Sequence, residues 1–164
     1  MARDVMLDEV VGTIQPRRGL AWHGAPTPLG ALRGVDAEMA AWKPGPGRNS
    51  IWDLTLHIAY WKYAVRQRLE GGRLPAFPRK PANFPAPPAR PNAESWAADV
   101  EVLRDAHVAL LDTIASLADS RLDRPSKGKK SQTVGELIAG IAFHDVYHTG
   151  QIQLIRKLWE AAHG

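Results

Sequence analysis

Apolar residues recur at spacings of three and four along three long segments of the chain, which is the pattern of amphipathic helices. The predicted helices run from Ser50 to about Glu70, from Asn92 to about Leu117, and from Thr133 to about Trp159. Each begins with a residue type that caps helices, and two of the starts, Ser-Ile-Trp-Asp and Thr-Val-Gly-Glu, are capping boxes. The pattern therefore predicts an all-α fold.

The first long helix has one clear apolar face. We expect His57 at the edge of that face, and we place Lys62, Arg66 and Glu70 on the solvent side. Gly71 and Gly72 should end the helix, since glycine readily adopts the backbone conformation of a helix C-terminus. The apolar positions are Ile51, Leu54, Ile58, Trp61 and Val65.

The region before this helix carries weaker signals. Val5 to Ile14 predicts a short helix, and helical turns are expected from Pro28 to Arg33 and from Asp36 to Trp42. The sequence Pro44-Gly45-Pro46-Gly47 is a firm break, because two prolines and two glycines in four residues do not continue a helix.

Residues 71–91 form a long connection that holds seven of the 13 prolines. A connection of this length without secondary structure is unusual in a compact domain and is normally functional or mobile. We expect an extended crossover, anchored by Phe77 and Phe84, and a polar, basic loop at residues 118–131. With no strand pair or repeat in the sequence, the chain predicts one domain, residues 1–164, folded as an antiparallel four-helix bundle with one long crossover.

Two histidines interrupt the apolar stripe of the last helix. His144 and His148 are four residues apart, so they lie about 40° apart around the helix axis and about 6 Å apart along it. A buried imidazole needs partners for its ring nitrogens, and a transition metal shared by both rings meets that need. The stripe reads Leu137, Ile141, His144, His148, Gln151, Ile155, Leu158.

A third ligand would come from another helix. His57 is the first candidate, and His107 is its rival because it also occupies an apolar stripe, on the second long helix. Asp145 is a candidate to accept a hydrogen bond from an imidazole, although a solvated or interhelical role suits it equally. Each histidine is also compatible with the simpler interpretation of a hydrogen-bonded core residue.

The composition of the chain limits the classes of protein and the kinds of metal site that it can form. The chain has 164 residues, 45% of them hydrophobic, and no run long enough to span a membrane. It contains no cysteine, so any metal must be held by nitrogen or oxygen atoms. The net charge of +4 is spread thinly, and the cluster Lys127-Gly128-Lys129-Lys130 is interpreted as a solvated turn, which argues against nucleic-acid binding. We find no signal peptide and expect a cytoplasmic protein.

The chain resembles the DinB/YfiT-like superfamily of metalloenzymes. The resemblance spans about Trp22 to Trp159 and is carried by Ala21-Trp22-His23-Gly24, by residues 44–58, and above all by His144-Asp145-Val146-Tyr147-His148-Thr149-Gly150-Gln151-Ile152. It implies a four-helix bundle in which His57, His144 and His148 bind a divalent metal, often zinc or nickel. Some relatives use the metal to activate a low-molecular-weight thiol, and related bundles often form homodimers.

These observations predict a metal-dependent enzyme in which a metal held by three histidines activates a thiol or water for group transfer or hydrolysis. The crossover and the turn at Trp22 and His23 would cap its pocket. Asp145 and His23 are the candidate general bases. The alternative is a bundle without catalytic activity, which binds metal or acts in a stress response by binding.

Overall fold

The computed structural model describes residues 26–71 and 74–164. Three long helices account for most of this part, so the expectation of a mostly helical, all-α fold is confirmed for it. The predicted helix from Val5 to Ile14 lies outside the described residues. The four-helix arrangement, its antiparallel course and the single domain therefore stay predictions.

The helices of the described part follow the predicted order. Among the described residues two short helices come first, α1 (Pro28–Ala31) and α2 (Ala37–Ala41), followed by the long helices α3 (Ile51–Glu70) and α4 (Ala93–Ala115). After a 3₁₀ turn at Asp119–Arg121, the strands β1 (Pro125–Ser126) and β2 (Lys129–Thr133) lead into α5 (Val134–His163). Helix α4 ends two residues before the predicted Leu117, and α5 continues four residues beyond Trp159.

Side chains satisfy the first backbone N–H groups of all three long helices. Ser50 and Asp53 form the predicted capping box of α3, and Thr133 and Glu136 form that of α5. Asn92 caps α4 and is paired reciprocally with Ser95. These boxes fix where α3 and α5 begin, and so they fix the height of each histidine along its helix.

The segment between α4 and α5 was expected to be a loop without strands, and that expectation is wrong. β1 and β2 form a short antiparallel ladder. The guanidinium of Arg68 on α3 holds this hairpin by donating to Ser126 Oγ, at 2.8 Å, and to Gln132 Oε1, at 3.0 Å. A strand of two residues and a strand of five polar residues do not show the alternation that identifies a strand in sequence.

The buried apolar residues of the described part form two clusters, at different positions along the long helices. One cluster includes Leu54 and Ile58 of α3, Leu103 of α4, and Ile152 and Ile155 of α5. The other lies farther toward the C-terminus of α3 and the N-terminus of α5, and includes Val65, Leu69, Leu110, Ile138 and Ile141. Between the two clusters, all three long helices contribute polar side chains, and the candidate site is part of this layer.

No helix among the described residues is long and apolar enough to cross a membrane.

Candidate metal centre

Three imidazole rings converge in the polar layer. His57 comes from α3, and His144 and His148 come from adjacent turns of α5. One ring nitrogen from each residue lies within 4.8 Å of the other two, and His57 Nε2 is 3.0 Å from His144 Nε2. His57 and His148 are buried, whereas His144 is partly exposed. The structure therefore brings together the three histidines that the sequence singled out.

The proline-rich crossover orients His57. The backbone carbonyl of Asn83 lies 2.6 Å from His57 Nδ1 and can accept only from a protonated nitrogen, so it selects the tautomer that leaves Nε2 unprotonated. Trp61 Nε1 donates to Asn83 Oδ1 at 2.8 Å, which fixes Asn83 on α3. Phe84 stacks on the His57 ring with centroids 3.9 Å apart.

Asn83 itself has a φ of 70°, in the left-handed region that asparagine tolerates better than most residues. Phe77 packs edge-on against Tyr60 and also contacts Tyr63, both on α3. The expectation that Phe77 and Phe84 anchor the crossover is therefore confirmed. Phe84 packs on His57, which is part of the candidate site.

Gln151 orients His148 in the same way. Its Oε1 accepts a hydrogen bond from His148 Nδ1 at 2.6 Å, which leaves Nε2 of His148 with a free lone pair. Gln151 is three residues after His148, on the same face of α5, so the helix itself brings the two side chains together. Hydrogen bonds that fix the ring and tautomer in this manner are typical of metal-binding histidines.

The surroundings keep the imidazoles neutral. Burial lowers the pKa of His57 and of His148, and it lowers the pKa of His144 to about 3, with His148, His57 and Lys62 adding repulsion. Nδ1 of His144 is buried and has no hydrogen-bond partner among the described residues. Neutral imidazoles with free lone pairs are the form that binds metal ions.

Lys62 was expected to face solvent, and the structure contradicts this. Its side chain is fully buried and pairs with the equally buried Asp145 of α5. The spacing explains the position, since Lys62 lies four residues after Ile58 and three before Val65, both buried. Asp145 is therefore an interhelical residue bound to Lys62, and its Oδ1 has no partner among the described residues.

His107, the rival third ligand, is not among the clustered rings. It is buried on α4, close enough to Lys62 for the positive charge of that residue to act on it. Burial, with a smaller contribution from Lys62, lowers the pKa of His107 to about 4. His107 is thus a neutral histidine near the ion pair of Lys62 and Asp145. It belongs to the same polar layer as the triad, which consists of His57, His144 and His148.

His107 should give the protein a measurable pH dependence. The folded state releases the proton near pH 4, whereas an unfolded chain holds it up to about pH 6.5. The unfolded state therefore binds more protons between these values, and stability falls as the pH is lowered from about 6.5 to 4. We expect His107→Leu to reduce the slope of unfolding free energy against pH by about 1.4 kcal/mol per pH unit in this window. Urea unfolding at several pH values measures it, and an unchanged slope would contradict the assignment.

The remaining histidines lie apart from the triad or beyond the described part of the chain. Trp22 and His23, whose turn was expected to cap the pocket, lie outside the described residues. His163 belongs to α5, where its ring stacks on Trp159 and meets Trp42 edge-on.

Sequence reasoning missed two residues that shape the site. Asn83 orients His57 through its backbone carbonyl, for which no side-chain pattern gives a signal. Lys62 did carry a signal, because its helical spacing places it among buried residues and Asp145 supplies an opposite charge on a neighbouring helix.

The chain is similar to one family of known proteins. The family model of the DinB superfamily matches residues 6–152, which is most of the chain and includes all three clustered histidines. No curated protein matches the chain significantly.

Proposed function

Because the chain belongs to the DinB superfamily, we propose that His57, His144 and His148 bind one divalent metal ion, zinc or nickel, in a metal-dependent enzyme. The proposed reaction is group transfer or hydrolysis with a thiol or water as the nucleophile. The observation that supports this best is the convergence of one nitrogen from each of three imidazoles within 4.8 Å.

The donor set fits such an ion. Zinc accepts imidazole nitrogens at about 2.0–2.1 Å, and tetrahedral geometry then separates two of them by about 3.3 Å. The 3.0 Å between His57 Nε2 and His144 Nε2, which is also the length of a hydrogen bond between the two rings, is close to this value. Three neutral protein ligands also leave a coordination position open, which is characteristic of catalytic sites.

The ion, when bound, would supply a Lewis acid that favours the ionised form of a coordinated water or thiol. The protein's own contribution is to hold the imidazoles. The Asn83 carbonyl and Gln151 Oε1 fix two of the rings, and Phe84 and Trp61 shield His57. The partly exposed His144 leaves a side of the cluster accessible to a small molecule.

We favour a low-molecular-weight thiol over water as the nucleophile. The chain has no cysteine, so the thiol would be a small molecule. The preference itself rests on the family resemblance, and water is the second candidate. A cytoplasmic location and a homodimer also stay predictions.

One observation favours the alternative of a protein that binds metal without catalysis. Asp145, the candidate general base next to His144, is fully buried and bound to Lys62, so a nucleophile that enters from solvent does not reach it. Ionisation of the nucleophile would therefore depend on the metal rather than on this carboxylate.

Cobalt(II) substitution tests the proposed chemistry. We expect dithiothreitol to produce a thiolate-to-cobalt absorption band in the loaded wild type, with a proton released on binding. Butanediol, which lacks the thiols, should produce no such band. A metal that binds firmly but admits neither thiol nor water, with an unchanged spectrum from pH 6 to 9, would favour the non-enzymatic alternative.

Gln151→Leu should weaken metal binding about 10- to 100-fold, because it removes the hydrogen bond that orients His148. Gln153→Leu is the matched control, since it makes the same change two residues along α5, at a side chain outside the cluster. Competition with a chromogenic zinc chelator measures both affinities. Equal affinities in the two variants would show that Gln151 does not support the site.

A further inference from the structure

A groove of ≈ 550 Å³ lies beside the candidate metal centre, between the Pro-Gly loop at residues 44–49 and the C-terminal half of α5. Its volume is within the usual range of small-molecule sites, roughly 300–1,000 Å³. Leu54, one turn before His57 on α3, lies on one side of it. Gln151, whose Oε1 accepts from His148, also lines the groove.

The walls of the groove are mainly apolar. Leu154 is 60% exposed and Leu158 is 42% exposed, although both are large hydrophobic residues, and both line the groove together with Ile155. Exposed leucines that are grouped around a concavity are characteristic of ligand-binding sites rather than of ordinary surface. A ligand that covers them would gain free energy in proportion to its own apolar area.

The rim supplies a positive charge. Arg48 lines the groove and forms no ion pair with the described residues. No acidic residue is found among the lining residues, and Asp53, the nearest acid on α3, is bound by Lys43 and by the cap of the helix. Gly47, at φ 69°, makes the tight turn that presents Arg48.

We infer that this groove binds a small amphipathic carboxylate, with its carboxylate on Arg48 and its hydrocarbon part against Leu154 and Leu158. The ligand would be the substrate of the metal centre, held so that its far end approaches the histidine cluster past Gln151. This last assignment rests on the proposed function, whereas the binding of the carboxylate does not. A guanidinium is well suited to a carboxylate because it donates two parallel hydrogen bonds.

Titration calorimetry of the metal-free protein with butanoate, pentanoate and hexanoate tests the groove alone. We expect affinity to rise about three- to fourfold for each added methylene group. Hexanol, which lacks the charge, should bind at least tenfold more weakly than hexanoate. Failure of all three carboxylates to bind, or equal binding of hexanol, would overturn the inference.

Matched variants locate the binding site. Arg48→Gln should lower the affinity for hexanoate at least tenfold, and Arg90→Gln, at an exposed arginine away from the groove, should not. Leu154→Ser should reduce the gain in affinity per methylene group, whereas Val108→Ser, at another exposed apolar position on α4, should leave this gain intact. Equal effects within either pair would overturn the inference.

The connection to the metal is tested separately. In the cobalt-loaded protein, saturating hexanoate should change the visible spectrum, and Arg48→Gln should raise the concentration that is needed. An unchanged spectrum despite hexanoate binding would overturn the role as substrate site and leave the metal centre standing. Hexanoate binding to a protein that takes up no metal would refute the proposed function but not the groove.

Discussion

Lys62→Met is expected to lower the free energy of unfolding by about 3–5 kcal/mol, because it leaves the carboxylate of Asp145 buried without its partner. The double variant Lys62→Met, Asp145→Leu should recover most of that loss, since it removes both buried charges. Urea unfolding followed by circular dichroism measures all three proteins.

Lys157→Met is the matched control for this prediction. Lys157 forms an ion pair with Glu160 on the surface of α5, and surface pairs contribute about 0–1 kcal/mol. A loss below 1 kcal/mol for Lys62→Met, or a double variant no more stable than the single one, would show that the buried ion pair is not what the structure indicates.

Metal should stabilise the protein only through the three histidines. Free zinc at 1,000 times its dissociation constant is expected to raise the unfolding free energy by about 4 kcal/mol. His148→Ala should abolish this increase, because one of three ligands is lost. His163→Ala, at the last residue of α5, should retain it. Thermal unfolding with and without zinc measures the difference, and an equal increase in both variants would place the metal elsewhere.

The ion pair and the triad share the same two helices. Lys62 follows His57 by five residues on α3, and Asp145 adjoins His144 on α5. A bond between Lys62 and Asp145 therefore restricts how α5 can rotate or slide against α3, and with it the distance between His57 and His144. We propose that this restriction is the role of a buried charged pair, since apolar residues of similar size would pack as well at this depth.

Most of the helical framework was predictable because its signals are local. Ser50 with Asp53 and Thr133 with Glu136 mark helix starts within four residues, and Gly71, at φ 66°, marks the end of α3. The histidine cluster was predictable for a related reason, since His144 and His148 interrupt an apolar stripe at helical spacing.

The errors arose where tertiary contacts outweigh local preference. Lys62 was placed in solvent because a lysine is rarely fully buried, yet Asp145 on a distant segment makes its burial possible. The contact of Asn83 with His57 depends on the path of a proline-rich crossover, which has no periodicity to interpret. The hairpin between α4 and α5 depends on Arg68, more than 50 residues earlier in the chain.

Elemental analysis of protein purified without an affinity tag is the most direct test of the central claim, that His57, His144 and His148 hold a metal. Wild type should contain about one equivalent of zinc or nickel, and His57→Ala, His144→Ala should contain almost none. His107→Ala should match wild type, because His107 lies outside the cluster. A wild type that takes up no metal even after incubation with divalent ions, or a double variant that keeps it, would contradict the account.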